Sequence, residues 1–170
     1  MKKYIAFLRG INVGNIRIKM PDLKAAFEKM GFQNVATYLQ TGNVVFESEK
    51  NISEMKTILE KGLSETFHYQ AFVLLYAYDI LEEIVNKYPF EQEENYHAYV
   101  IFVEGNAIFE ELVNISHGIE EEISKGNSVL YWKVAKGESL NTPFAKITAK
   151  AKYKSGLTVR NINTLEKMLE

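Results

Sequence analysis

Twice along this chain the apolar pattern runs strand, helix, strand, strand, helix, strand, followed by one more helix. That order restricts the fold more than any single residue does. In the first half, Tyr4–Ile11 reads as a strand. Pro21 suits a first helical position, and Leu23, Ala26, Phe27 and Met30 form a helical stripe behind it. Gly31-Phe32 reads as a left-handed C-cap with its hydrophobic contact. Val35–Gln40 and Asn43–Glu47 are β-rich runs about a tight Thr41-Gly42 hairpin. Asn51 with Glu54 resembles a capping box opening a helix through Ile52, Met55, Ile58, Leu59 and Leu63. Ala71–Tyr76 reads as a buried strand, and Asp79 and Glu82 open a helix that Pro89 closes.

The second half repeats the order. His97–Val103 is a strand and Ala107–Ile115 a helix. Gly118–Ser124 and Ser128–Val134 form a hairpin about Gly126-Asn127. Thr142-Pro143 starts a helix, Leu157–Arg160 is a strand, and Asn163 with Glu166 caps a last helix on Leu165, Met168 and Leu169. Two such units offset by about ninety residues imply an α+β fold built as a tandem duplication of ferredoxin-like βαββαβ units, each with an extra helix. The expected units are residues 1–91 and 92–170, packed together as one compact body, with Gln92–Tyr96 as linker. The residues themselves repeat only as Phe7-Leu8-Arg9-Gly10 against Phe102-Val103-Glu104-Gly105, so a single α+β domain without internal symmetry is the competing reading.

Composition removes whole classes of function. There is no cysteine among the 170 residues, which excludes disulfides, iron–sulfur clusters, thiolate zinc sites and cysteine nucleophiles. No run approaches the ~18 apolar residues of a membrane span. The Tyr4–Leu8 run is too short for a secretory signal and is interrupted by Arg9. A cytoplasmic protein without cofactor is the expectation. His68, His97 and His117 lack metal-ligand spacing, and Glu120-Glu121-Glu122 is a run on one element, not an opposed catalytic pair. No Gly-x-Ser-x-Gly marks a nucleophile elbow. The net charge of −2 conceals segregation. Residues 1–21 carry Lys2, Lys3, Arg9, Arg17 and Lys19 with no acid, residues 139–165 carry Lys146, Lys150, Lys152, Lys154 and Arg160 with none, and residues 79–122 hold twelve acids and one base.

Three stretches have the chemistry of a binding site. Arg9-Gly10-Ile11-Asn12-Val13-Gly14-Asn15 ends a strand before a helix, where backbone N–H groups can meet an anion, although the nucleotide-binding glycine spacings are absent. Gln40-Thr41-Gly42-Asn43 is a hairpin turn. In βαββαβ topology the end of strand one and the first hairpin lie at the same edge of the sheet. Arg9, Asn12, Lys19, Gln40, Thr41 and Asn43 are therefore expected to converge there, two cations among neutral hydrogen-bonding groups. Arg160-Asn161-Ile162-Asn163-Thr164 is the third stretch, with Arg160 and Asn163 joining from the second half. The alternative for Arg9 and Arg160 is that each braces the fold through an internal acid such as Asp22 or Glu47.

Ala6-Phe7-Leu8-Arg9-Gly10-Ile11-Asn12-Val13-Gly14, Lys19-Met20-x-Asp22-Leu23, Gly31-Phe32, Thr37-Tyr38-Leu39-Gln40-Thr41-Gly42-Asn43-Val44-Val45-Phe46 and Arg160-Asn161-x-Asn163-Thr164 together resemble the bacterial family called domain of unknown function 1697. The resemblance is strong over residues 4–47 and again at 158–168. It implies a duplicated α+β fold and no established activity. It also implies a second glycine where Asn15 stands, an arginine where Ala36 stands and a tryptophan where Ile162 stands.

Two functions compete on this evidence. The first is binding of a small anionic metabolite or nucleotide-like ligand at the polar loop cluster. The second is an RNA- or protein-binding module using the basic segments 1–21 and 139–165, without catalysis. RNA-recognition modules of this topology need an open sheet face with aromatic rings. Tyr4–Leu8, Ala71–Tyr76 and Ala98–Val103 are apolar at consecutive positions, which predicts sheets covered on both faces, with Tyr131-Trp132 the least secure pair.

Overall fold

Consecutive apolar residues from Tyr4 to Leu8 form the spine of the first of two sheets. The computed structural model describes residues 1–11, 15–39 and 41–170, and divides them into two units, Met1–Glu82 with Glu170, and Glu83–Leu169. The first unit runs β1 (Lys2–Arg9), α1 (Met20–Lys29), β2 (Gln33–Tyr38), β3 (Asn43–Ser48), α2 (Ile52–Phe67) and β4 (Phe72–Ala77). It is followed by α3 (Tyr78–Asn86), which spans the division. The second runs β5 (Tyr96–Val103), α4 (Asn106–Ser116), β6 (Glu122–Lys125), β7 (Val129–Ala135), α5 (Pro143–Thr148), β8 (Leu157–Asn161) and α6 (Ile162–Met168). The sheets have the orders β2-β3-β1-β4 and β6-β7-β5-β8, with every pairing antiparallel. Among the described residues two four-stranded antiparallel sheets and six α-helices make an α+β architecture, and both orders are compatible with ferredoxin-like units. No helix of the described residues is long and apolar enough to cross a membrane.

In the first unit Tyr4, Ala6 and Leu8 of β1 meet Leu23 and Phe27 of α1 and Met55, Leu59 and Leu63 of α2. The alternate residues Ile5 and Phe7 are also fully buried, so β1 is covered on both faces, as are Val73, Leu74 and Leu75 of β4. In the second unit Ile101, Leu130 and Trp132 join Phe109, Leu112 and Phe144 in one core. Val100, Phe102, Val129 and Tyr131, on the opposite face of that sheet, are buried too. Tyr131 and Trp132 are both structural: the Tyr131 hydroxyl donates to the Ile84 carbonyl (2.7 Å) and the Trp132 indole N–H to Glu121 (3.1 Å). The central residues of β1, β4 and β5 are buried on both faces, and Tyr96 at the start of β5 is exposed.

Local signals set the element ends. Gly31 (φ 96°) follows the C-cap residue Met30, its N–H donates to Glu28 (3.0 Å), and Phe32 N–H donates to Phe27 (3.2 Å) while the two rings touch at 5.9 Å. Asn51 caps α2 by accepting the Glu54 N–H (2.9 Å), and the second bond joins side chain to side chain, the Asn51 amide donating to the Glu54 carboxylate (2.7 Å). Thr142 caps α5 through Ala145 N–H (3.1 Å). The last helix departs from expectation. Its cap is Asn161, whose side chain accepts the Asn163 N–H (2.9 Å), so Asn163 lies inside α6. The segment 118–121 is not strand, and β6 is only four residues long.

The β4 edge of the first sheet is closed by α2. Glu60 accepts the Val73 N–H (2.9 Å), Lys56 donates to the Val73 carbonyl (2.7 Å) and pairs with Glu60 (3.0 Å), and Ser64 accepts the Ala71 N–H (2.9 Å). Side chains thus occupy groups that would otherwise template another strand.

Candidate functional site

The rim of the first sheet is built by register. Phe7 pairs with Asn43 and Arg9 with Phe72, while the Leu8 N–H donates to the Gly42 carbonyl (2.9 Å). Strand alternation puts Ile5, Phe7 and Arg9 on the sheet face opposite α1 and α2. Directly paired residues share a face, so Asn43 and Phe72 lie on that face with Arg9. Arg9 and Asn43 are then diagonal cross-strand neighbours, a relation that places such residues roughly 7–8 Å apart. The convergence expected between the end of strand one and the first hairpin is present.

The hairpin itself is longer than a two-residue turn, since Tyr38 pairs with Asn43 across four intervening residues. Gly42 has φ 81°, and a side chain there would lie 2.7 Å from Leu8 Cβ and 2.9 Å from Ile11 Cδ1. Both the backbone angle and the close approach of β1 require glycine. Asn43 is fully buried; its amide donates to the Tyr38 carbonyl (3.0 Å) and the Thr41 hydroxyl (2.7 Å). These bonds commit the amide to bracing the loop. Thr41 is exposed. Arg9 is half-buried, and burial holds its guanidinium below the usual range, although an arginine remains charged at neutral pH.

Lys19 is exposed at the head of α1, where its carbonyl accepts the Leu23 N–H (3.0 Å). Asn12 and Gln40, and Gly14 of the first loop, lie outside the described residues. Arg160 and Asn163 are in the second unit. Arg160 is buried in β8 opposite Val100, with its guanidinium on the Thr158 hydroxyl and the Val159 carbonyl (3.1 Å). Asn163 is exposed and lines a 390 Å³ hollow with Asn161, Tyr96 and Lys136. Glu47, one of the acids considered as a brace, accepts a hydrogen bond from Asn34. The structure thus brings together Arg9, Thr41 and Asn43.

Sequence reasoning passed over Lys133. It is 7% exposed within β7, bonded to Glu93, and its ammonium lies 5.0 Å from the centre of the Tyr96 ring. The alternation of β7 gives the only signal: a lysine where a buried residue is due. Among the described residues there is no group of three or more His, Cys, Asp or Glu side chains placed to hold a metal.

Comparison with known proteins gives a family and a fold. A conserved bacterial protein, SP0830 from Streptococcus pneumoniae, is 20% identical over 99% of both chains with a TM-score of 0.79, a likeness of fold alone. The acetolactate synthase small subunit from Thermotoga maritima is 12% identical over 95% of this chain and 97% of that one; its TM-score of 0.27 carries no argument. No curated protein matches the chain. The model of a family described as a protein of unknown function, DUF1697, matches residues 1–131. That match covers most of the 170 residues, and the chain belongs to the DUF1697 family.

Proposed function

We propose that the rim of the first sheet binds a small anionic ligand, a phosphate- or carboxylate-bearing metabolite or nucleotide-like molecule, with Arg9 as the clamp and Thr41 beside it. Asn12 and Gln40, from their places in the same two stretches of sequence, and Lys19, at the head of α1, complete the reading, and Asn43 shapes the loop. The observation that carries the proposal is the Leu8–Gly42 backbone bond, which fixes the hairpin beside the end of β1. A partly desolvated guanidinium gains more from an anion than a fully hydrated one does, because the lower local dielectric strengthens the attraction. The reading is one of binding and assigns no reaction. We also infer that the units are tandem ferredoxin-like copies. Their identical strand orders support this, as do Gly10 (φ 74°) and Gly105 (φ 95°), each just beyond its unit's first strand.

The rival nucleic-acid reading has less support. Lys152 is tied to Glu111 in an ion pair, and burial of the central residues of β1, β4 and β5 argues against a broad stacking surface. The test is thermal stabilisation by inorganic phosphate, pyrophosphate and ATP. Saturable stabilisation that is lost in Arg9→Gln and weakened in Lys19→Ala, both folded by circular dichroism, supports the rim site. Stabilisation unchanged in both variants overturns it. Salt-sensitive binding of single-stranded RNA that is lost on neutralising Lys150, Lys152 and Lys154 would establish the rival.

A further inference from the structure

The second unit contains a hollow that the rim reading leaves unused. Its walls come from three places: the segment 92–98, Lys136 just after β7, and the junction of β8 with α6. Backbone pairing ties these walls: Lys136 N–H donates to the Asn95 carbonyl (2.9 Å), and Tyr99 of β5, just after the first wall, pairs with Asn161; within the first wall Tyr96 N–H donates to the Glu93 carbonyl (3.1 Å). At 390 Å³ the hollow falls in the range of about 300–1,000 Å³ typical of small-molecule sites.

Its charges come in both signs, on separate walls. Glu93 and Glu94 stand on the first wall, Lys136 on the second, and the amides of Asn161 and Asn163 on the third. Beneath them lies the buried Lys133. Its ammonium binds Glu93 and sits over the Tyr96 ring, and both of these partners line the hollow. Burying an ammonium is costly unless it is paired, so Lys133 fixes the Glu93 carboxylate in place. The Glu93 side chain is still 52% exposed, which leaves carboxylate surface open to a second cation. The Asn161 side-chain oxygen is occupied by the Asn163 N–H, so that amide faces a ligand as a donor of hydrogen bonds.

A simple anion entering this hollow meets two carboxylates, and a simple cation meets Lys136 with Lys133 behind it. A molecule with both charges satisfies both walls. We propose that this hollow binds a small zwitterion of the α-amino acid class, its ammonium on Glu93 and Glu94 and its carboxylate on Lys136 and the Asn161 and Asn163 amides. This site is independent of the rim on β1.

The experiment is calorimetric titration of the full chain near neutral pH with the individual proteinogenic amino acids. Acetate and methylammonium serve as probes carrying one charge each. The expected result is saturable binding of at least one amino acid, with neither single-charge probe binding comparably. Lys136→Ala and Asn163→Ala, both at exposed positions, should each weaken that binding by about tenfold or more. Arg9→Gln should leave it unchanged, which separates this site from the rim. Glu93→Gln should abolish it; because that change strands Lys133, the two exposed variants decide the matter if it fails to fold. Binding of no amino acid at about 10 mM overturns the proposal, as does affinity unaltered by both exposed variants, or acetate alone binding as tightly.

Discussion

Replacing Asn43 with alanine separates bracing from ligand binding at the rim. The side chain is fully buried and donates two hydrogen bonds, to the Tyr38 carbonyl at 3.0 Å and the Thr41 hydroxyl at 2.7 Å. Each bond contributes about 0.5–1.5 kcal/mol net, and a carbonyl left without its donor in a half-buried loop adds to the loss. The expected cost is about 2–4 kcal/mol. At about 2–4 °C per kcal/mol for a chain of this size, the melting temperature should fall by about 4–16 °C. Asn43→Asp keeps the shape but turns a donor into a carboxylate facing the Tyr38 carbonyl, and it should cost at least as much. Urea unfolding of both variants with unchanged m-values is the assay. A loss of under about 0.5 kcal/mol for Asn43→Ala, coupled to weakened anion binding, would refute the bracing argument, because surface positions typically stay within that limit.

Gly42→Ala should destabilise by about 1–3 kcal/mol in the same assay, since the new Cβ would lie 2.7 Å from Leu8 Cβ at a φ of 81°. Tyr69→Phe should leave stability unchanged or raise it by about 1 kcal/mol, because among the described residues the buried Tyr69 hydroxyl has no hydrogen-bond partner. Burial pushes the phenols of Tyr69 and Tyr88 up to about 12, from the ordinary 10.0. Raised phenol values favour the neutral folded form, so this stability is fully present below pH 10.0 and lost as pH rises towards 12; phenolate absorbance should show at least these two late-titrating tyrosines, with Tyr78, Tyr131 and Tyr153 shifted in the same direction. Glu60→Ala removes the acceptor of the Val73 edge N–H, and light scattering should detect more concentration-dependent association than in the parent chain.

Much of the fold was legible because local chemistry and global topology agree. Gly31-Phe32, Asn51 with Glu54, and Thr142 each signal a helix end through bonds made within a few residues, and each forms as read. The rim was legible for the same reason: the alternation of β1 and the βαββαβ order together dictate where the first hairpin falls. What escaped was decided by tertiary surroundings. Asn43 reads as a polar turn residue, yet it is fully buried with its amide bonded to Tyr38 and Thr41. Arg160 reads as a ligand clamp or a brace to an internal acid and Lys133 carries no motif at all, but both lie on strands with buried neighbours and are held by Thr158 and by Glu93. Asn161 and Asn163 are equally good caps by composition, and the last residue of β8 decides in favour of Asn161. The polar segment 92–96 looks like a linker because it lacks periodicity, whereas it forms a wall of the second unit's hollow.

The rim site is tested most directly by two-dimensional amide and arginine-Nε correlation spectra recorded during titration with inorganic phosphate. Anion binding at the rim shifts the Arg9 Nε signal and the Thr41 and Gly42 amides together along one saturation curve, while second-unit amides such as those of Val100 and Phe102 stay fixed. Phosphate shifts that appear elsewhere and leave Arg9, Thr41 and Gly42 unmoved would contradict it.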